Sequence, residues 1–171
     1  SLLIQHLKED ESIGQYDNVI LLGDLFHGPV NQGAVNDQAL DLVWSFLHNK
    51  NMNVFIIRGN HDYTKRDGDA LDMFQSLTDR GVYIVREPAL QYIAGRKVIH
   101  LPYVYPESQL LESNLYVKNM DKAYTKENLQ NQSTVDYVLG HIGDETSGHY
   151  TQEVDLSWIS GKRILGHIHN R

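Results

Sequence analysis

A layered α/β fold is what this sequence predicts, and two observations carry the prediction. Short apolar runs of buried-strand length alternate with stretches of helical periodicity. Four of the runs also stop in one way, at Gly23-Asp24, Gly59-Asn60-His61-Asp62, Gly140-His141 and Gly166-His167-Ile168-His169. In such folds ligands sit beyond the carboxyl ends of strands, where the sheet fixes position and the loop exposes side chains.

The elements follow in order. Leu3, Leu7 and Ile13 fit one face of an opening helix. "DNVILL" reads as a buried strand ending at Gly23, and the glycine-rich "GDLFHGPVNQG" after it, with Pro29, as a loop. Val35, Ala39, Leu42, Val43, Phe46 and Leu47 recur at helical spacing, with Asn51 and Asn53 marking the exit. "NVFIIR" is the next buried strand and "GNHDYTKRDGD" its loop. A helix around Leu71, Phe74 and Leu77 then stops at Gly81. "GVYIV", "ALQYIA" and "RKVIHLPYV" are assigned to a second sheet, with a hairpin turn at Gly95. A helix is expected near Leu110 to Val117 within a polar stretch, and "VDYVLG" and "KRILG" are two further short strands.

Composition narrows the classes. A chain of 171 residues, 41% hydrophobic, suffices for one domain spanning 1–171 with a sizeable core. Its net charge of -7 argues against a broad basic face that would hold nucleic acid by phosphate contacts alone, so a bound phosphate needs local help such as metal ions. Without cysteine, disulfides and thiolate metal sites are excluded, and the available donors are His, Asp, Glu and Asn. No apolar stretch reaches the roughly 20 residues of a membrane span and no leader pattern opens the chain, which predicts a cytoplasmic protein with no membrane partner. Ser1 is not an initiator, the first residues begin inside a helical pattern, and the chain stops just after its last histidine motif, so the domain is expected to be truncated at both ends.

The strand ends gather the metal-capable residues. A glycine before each lets the backbone turn sharply and a bulky ion approach. Asp24 has two oxygens with which to bridge cations, Asn60 offers a carbonyl, and His141, His167 and His169 offer neutral nitrogens. His167 and His169 are two apart and in an extended segment point to the same side. Such a mixed N/O site suits manganese, iron or zinc. His6, His48, His100 and His149 have no motif around them and read as surface or satisfied core residues. Arg58, Lys65 and Arg66 flank the GNHD loop, where they would either guide a phosphate or form a solvated face.

The ordered set GD, GNHD, GH and GHxH, spanning Asp24 to His169, resembles the calcineurin-like metallophosphoesterase superfamily. Within it, "GDLFH", "GHIH" and "EVDLSWISGKRILGHIH" resemble the SbcD-type DNA-repair nucleases, the meiotic-recombination-eleven family. Ser/Thr protein phosphatases carry an Asp-Arg pair after GD, where Leu25, Phe26 and His27 stand here. The resemblance implies a four-layer α-β-β-α sandwich, two mixed sheets flanked by helices, and a two-metal hydrolysis in which a bridging hydroxide attacks phosphorus. It implies that Asp24 bridges the metals, that Asn60, His141 and His167 complete one, and that His169 belongs to the other. It gives His61 the phosphoryl oxygens or the leaving oxygen, puts His27 beside the substrate phosphate, and leaves Asp62 to orient a histidine. Manganese is the first choice of metal, then iron or zinc. DNA is the implied substrate, an SbcC-type ATPase and a second copy of the chain the implied partners.

One departure stands out. The superfamily's Asp-x-His motif on the first strand is absent, and Asp17, before Asn18 and Val19, does not replace it. The fold is therefore expected to lack its first strand, and the chain to bind one metal better than two. Three functions stay open: a metal-dependent DNA nuclease, favoured by His27 and the GHIH context; a phosphodiesterase or phosphatase for small phosphoesters; and a non-catalytic scaffold with a decayed metal site.

Overall fold

Leu2–Glu9 forms the opening helix, α1, and Leu7 packs from it onto an apolar core. Asp10 then caps a single 3₁₀ turn, Glu11–Gln15, by accepting from the Ser12 N–H at 2.9 Å, and Ile13 adds to the same core. The computed structural model describes residues 2–26, 33–64, 68–103, 134–144, 153–154 and 160–166. The expected helix near Leu110 to Val117 lies outside them. The chain divides into two compact units, Ser1–Ile84 and Val85–Arg171.

In the first unit, β1 (Asn18–Leu21) pairs in parallel with β2 (Asn53–Ile57), Val19 opposite Val54 and Leu21 opposite Ile56. Between them run α2 (Gly33–Trp44) and a π-type turn, Ser45–Asn49. Ala39, Leu42, Val43, Phe46 and Leu47 are buried, so the helical spacing marked the inner face correctly. Asn51, at φ 52, makes the exit, whereas Asn53 already belongs to β2. β1 is half-buried rather than buried, because among the described strands it stands at the edge of its sheet.

After β2 the loop folds on itself as a small antiparallel hairpin, β3 (Tyr63–Thr64) with β4 (Gly68–Asp69). Ala70–Arg80 follows as a 3₁₀ helix that buries Ala70, Leu71, Phe74 and Leu77. At three residues per turn Leu71, Phe74 and Leu77 stack on one side. Gly81 ends it at φ 99, with its N–H on the Leu77 carbonyl. β5 (Val82–Val85) then joins this first sheet, in the order β1-β2-β5, and not the second sheet to which its sequence was assigned. The reason is the short return from the helix: the Gly81 carbonyl accepts from the Val54 N–H at 2.8 Å and seats the next residues beside β2. Val19, Leu21, Val54, Ile56 and Val82 meet the helices in one core, while Phe55 and Tyr83 stack at 4.6 Å on the other face.

The second unit holds a mixed sheet. β6 (Ala89–Ile93) and β7 (Arg96–Leu101) form a hairpin whose two turn residues, Ala94 and Gly95, both have positive φ. β8 (Thr134–Gly140) lies parallel to β7, and β11 (Ser160–Leu165) parallel to β8, giving the order β11-β8-β7-β6. β9 (Gly143–Asp144) and β10 (Glu153–Val154) add a short parallel pair. Ile99, Leu101, Val135, Val138 and Ile142 form this unit's core. No helix among the described residues is long and apolar enough to cross a membrane.

His100 is wholly buried in β7, and desolvation pushes its imidazole down from 6.5 to about 4. The folded chain thus resists a proton that the unfolded chain accepts below about pH 6.5, and stability falls as pH drops from 6.5 towards 4. Denaturant titrations across that window should show a loss of at most about 3 kcal/mol from this group. His100→Leu should flatten that part of the slope; an unchanged slope would place the acid sensitivity elsewhere.

Candidate active site

Parallel pairing of β1 and β2 delivers the loops after both strands to one edge of the first sheet. Gly23 at φ 86 and Asp24 at φ 52 turn the chain there in two successive left-handed conformations, the second unusual for a residue with a side chain. Asp24 Oδ1 accepts the His61 N–H at 2.9 Å, so the first loop reaches directly under the GNHD turn. A Cβ on Gly59 would lie on the Asp24 main-chain nitrogen and Oδ1. Gly59 is therefore small to admit the Asp24 backbone, and its φ is not among the left-handed ones, a correction to the sharp turn expected of it.

Asp62 holds this arrangement. It is fully buried, and its carboxylate accepts main-chain N–H groups from Gly59 at 2.7 Å, Asp24 at 3.0 Å and Phe26 at 3.1 Å. Burial pushes its carboxyl above the ordinary value, the Gly59 and Phe26 amides hold it down, and the nearby Asp24 charge adds to the upward push. The sequence expected Asp62 to orient a histidine; the contacts put it on the backbone that carries Asp24 and Asn60. The Phe26 side chain anchors the same loop in the core, 6.3 Å from Phe74 between ring centroids.

Asn60 is half-buried and His61 exposed at the top of the turn. Arg58, proposed as a phosphate guide, has its side chain mostly buried and lies 3.9 Å from Asp69. In the second unit, His141 follows β8 and is buried, its N–H donating to the Leu101 carbonyl at 2.9 Å. The Gly166 N–H donates to the Gly140 carbonyl at 2.8 Å, so the segment leading to His167 starts beside His141. His27, His167 and His169 lie outside the described residues, as do Lys65 and Arg66. The structure thus joins Asp24, Asn60, His61 and Asp62 in one unit and places His141 in the other.

Among the described residues, no three His, Asp or Glu side chains gather closely enough to hold a metal ion. In kind the donors of the first unit fit a divalent cation, since Asp24 and Asn60 bring hard oxygens on adjoining loops. Sequence reasoning missed Phe26 and Asp69. The second carried a signal, a lone Asp just before "ALDMF", the pattern of a helix cap.

A family model for calcineurin-like phosphoesterases matches residues 2–171. The chain belongs to that family, hydrolases of phosphate esters that work with divalent metals. Over 61 residues, 36% of the chain, it is 38% identical to the DNA double-strand break repair protein Mre11 of Archaeoglobus fulgidus, and the matched stretch is 14% of that relative's length. The crystal structure of AQ665, a protein of unknown function from Aquifex aeolicus, aligns with 96% of this chain and 74% of its own at 13% identity and a TM-score of 0.41.

Removing the Asp62 carboxylate should loosen both loops. Asp62→Ala orphans three amides and is expected to cost about 3 kcal/mol or more in urea denaturation, Asp62→Asn only about 1–2 kcal/mol because one oxygen remains. Equal and small losses from both would show that the carboxylate does not brace the loops.

Proposed function

We propose that this chain hydrolyses phosphodiester bonds with divalent metal ions, and that its substrate is DNA. The observation that carries the reading is the loop pair beyond β1 and β2, where Asp24 and Asn60 bring oxygen donors beside an exposed His61, in a member of a phosphoesterase family. DNA as substrate is supported by the stretch similar to a double-strand break repair protein and by the "GDLFH" and "GHIH" motifs. Manganese, an SbcC-type ATPase partner and a homodimer belong to the same reading.

Asp24, Asn60, His141, His167 and His169 would hold the metal, which when bound acidifies water towards neutrality and so supplies a nucleophile. Asp62 keeps the loops carrying Asp24 and Asn60 at fixed separation through its amide contacts. His61 projects from the turn, held by its own N–H on Asp24, and from there reaches the phosphoryl oxygens or protonates the leaving oxygen. His27 follows the anchored Phe26 in the sequence, and on the same reading it would serve the substrate phosphate.

The purified protein should cleave linear double-stranded DNA when manganese is added. His61→Ala should lower kcat by about 100-fold or more with metal content unchanged. Asp24→Ala should lower metal content, measured by elemental analysis after dialysis. Hydrolysis of bis-p-nitrophenyl phosphate without DNA cleavage would move the substrate to small phosphodiesters, and metal binding without turnover on either would leave a scaffold.

A further inference from the structure

We infer that Arg58 is a positioning residue that, by pairing with Asp69, closes the loop carrying Asn60 and His61. Arg58 directly follows β2 and Asp69 ends the β3–β4 hairpin, so the pair ties the entry of the loop to its exit. Arg58 Nη1 lies 3.9 Å from Asp69 Oδ2, with the two side chains only 14% and 12% exposed, which limits screening by water and salt. The guanidinium also stands 6.0 Å above the Tyr63 ring, and Tyr63 is the register partner of Asp69 across the hairpin. One cation thus touches both strands of the small hairpin.

The exit is fixed a second time. Asp69 Oδ1 accepts the Leu71 N–H at 2.9 Å and caps the 3₁₀ helix, whose first residue, Ala70, donates its N–H to the Asp62 carbonyl at 2.8 Å. From Arg58 through Asp69 and Ala70 the contacts lead back to Asp62, the residue that holds Asp24 and Gly59. Drawing Arg58 out to a substrate phosphate would break its ion pair with the mostly buried Asp69 side chain, a costly exchange. The assignment of Arg58 as phosphate guide therefore gives way to one in which its charge serves the loop.

The inference rests on reading Asn60 and His61 as site residues, and its test does not need turnover. Arg58→Met keeps an apolar stem and drops the charge, and Asp69→Asn keeps the helix cap and drops the charge. Each should raise amide hydrogen exchange of residues 59–63 by about tenfold while β2 stays protected. The double variant should exchange no faster than either single, since one interaction is lost in all three. With bis-p-nitrophenyl phosphate and manganese, both singles should lower kcat and leave KM within about twofold. Unchanged exchange in both singles, additive effects, or a raised KM confined to Arg58→Met would overturn the inference. Absence of hydrolysis in the unaltered protein would count against the proposed function alone, because hydrogen exchange still decides the role of Arg58.

Discussion

The Asp62 carboxylate is the constraint on which the first unit's functional edge depends. Burying a carboxylate is costly unless its oxygens are satisfied, and here they are satisfied by two main-chain amides of the loop after β1, 36 and 38 residues away in sequence, and by one of its own turn. That requirement propagates. The Asp24 backbone must come in close enough to donate, which forces its φ to 52 and forbids any side chain at Gly59. The Phe26 amide must also reach, which draws its ring into the core against Phe74. A single buried charge thus sets the separation of the loops that offer Asp24 and Asn60.

The second unit uses the same device of parallel strands ending at one edge but a different means of fixing the loop. Here carbonyls on neighbouring strand ends do the holding: Leu101 takes the His141 amide and Gly140 takes that of Gly166. Gly140 is small for the reason Gly59 is, because a Cβ there would lie 2.8 Å from the Leu101 oxygen. His141 and His100 are both buried, yet they differ in setting. His100 sits mid-face in β7 opposite Leu139, where burial keeps it neutral, whereas His141 stands beyond the end of β8. A buried histidine within a strand serves packing; one just past a strand end stands where the proposed reading would have a metal ligand.

Much of this was legible because periodicity and strand ends are local signals. The inner face of α2, the exit at Asn51, the hairpin at Gly95 and the stop at Gly81 could each be read from a few adjacent residues. The helix over Ala70–Arg80 was legible as a helix, but not its 3₁₀ type, because a spacing of three between Leu71, Phe74 and Leu77 suits an α-helix as well. What could not be read depends on partners distant in the chain. Nothing near "GVYIV" says that β2 rather than the following hairpin will be its neighbour. Asp62 looked like a histidine's partner because its true partners are main-chain amides, which no sequence motif displays.

Charge explains why a metal matters on the proposed reading beyond supplying a nucleophile. The loops beyond β1 and β2 carry Asp24 and Asp62, and the one arginine between them in the GNHD segment is turned to Asp69. A phosphodiester approaching Asn60 and His61 would meet carboxylate charge, in a protein whose net charge is already -7. Two like charges about 4 Å apart at an effective dielectric near 20 repel by about 4 kcal/mol, enough to prevent useful binding unless local positive charge offsets it. Divalent cations held by Asp24 and Asn60, as proposed, would reverse that sign where the phosphate would sit. With Arg58 serving the loop, a metal bound as proposed would supply the positive charge that admits the substrate as well as the acidified water, and the carboxylates that would hold it are the same ones that repel phosphate without it.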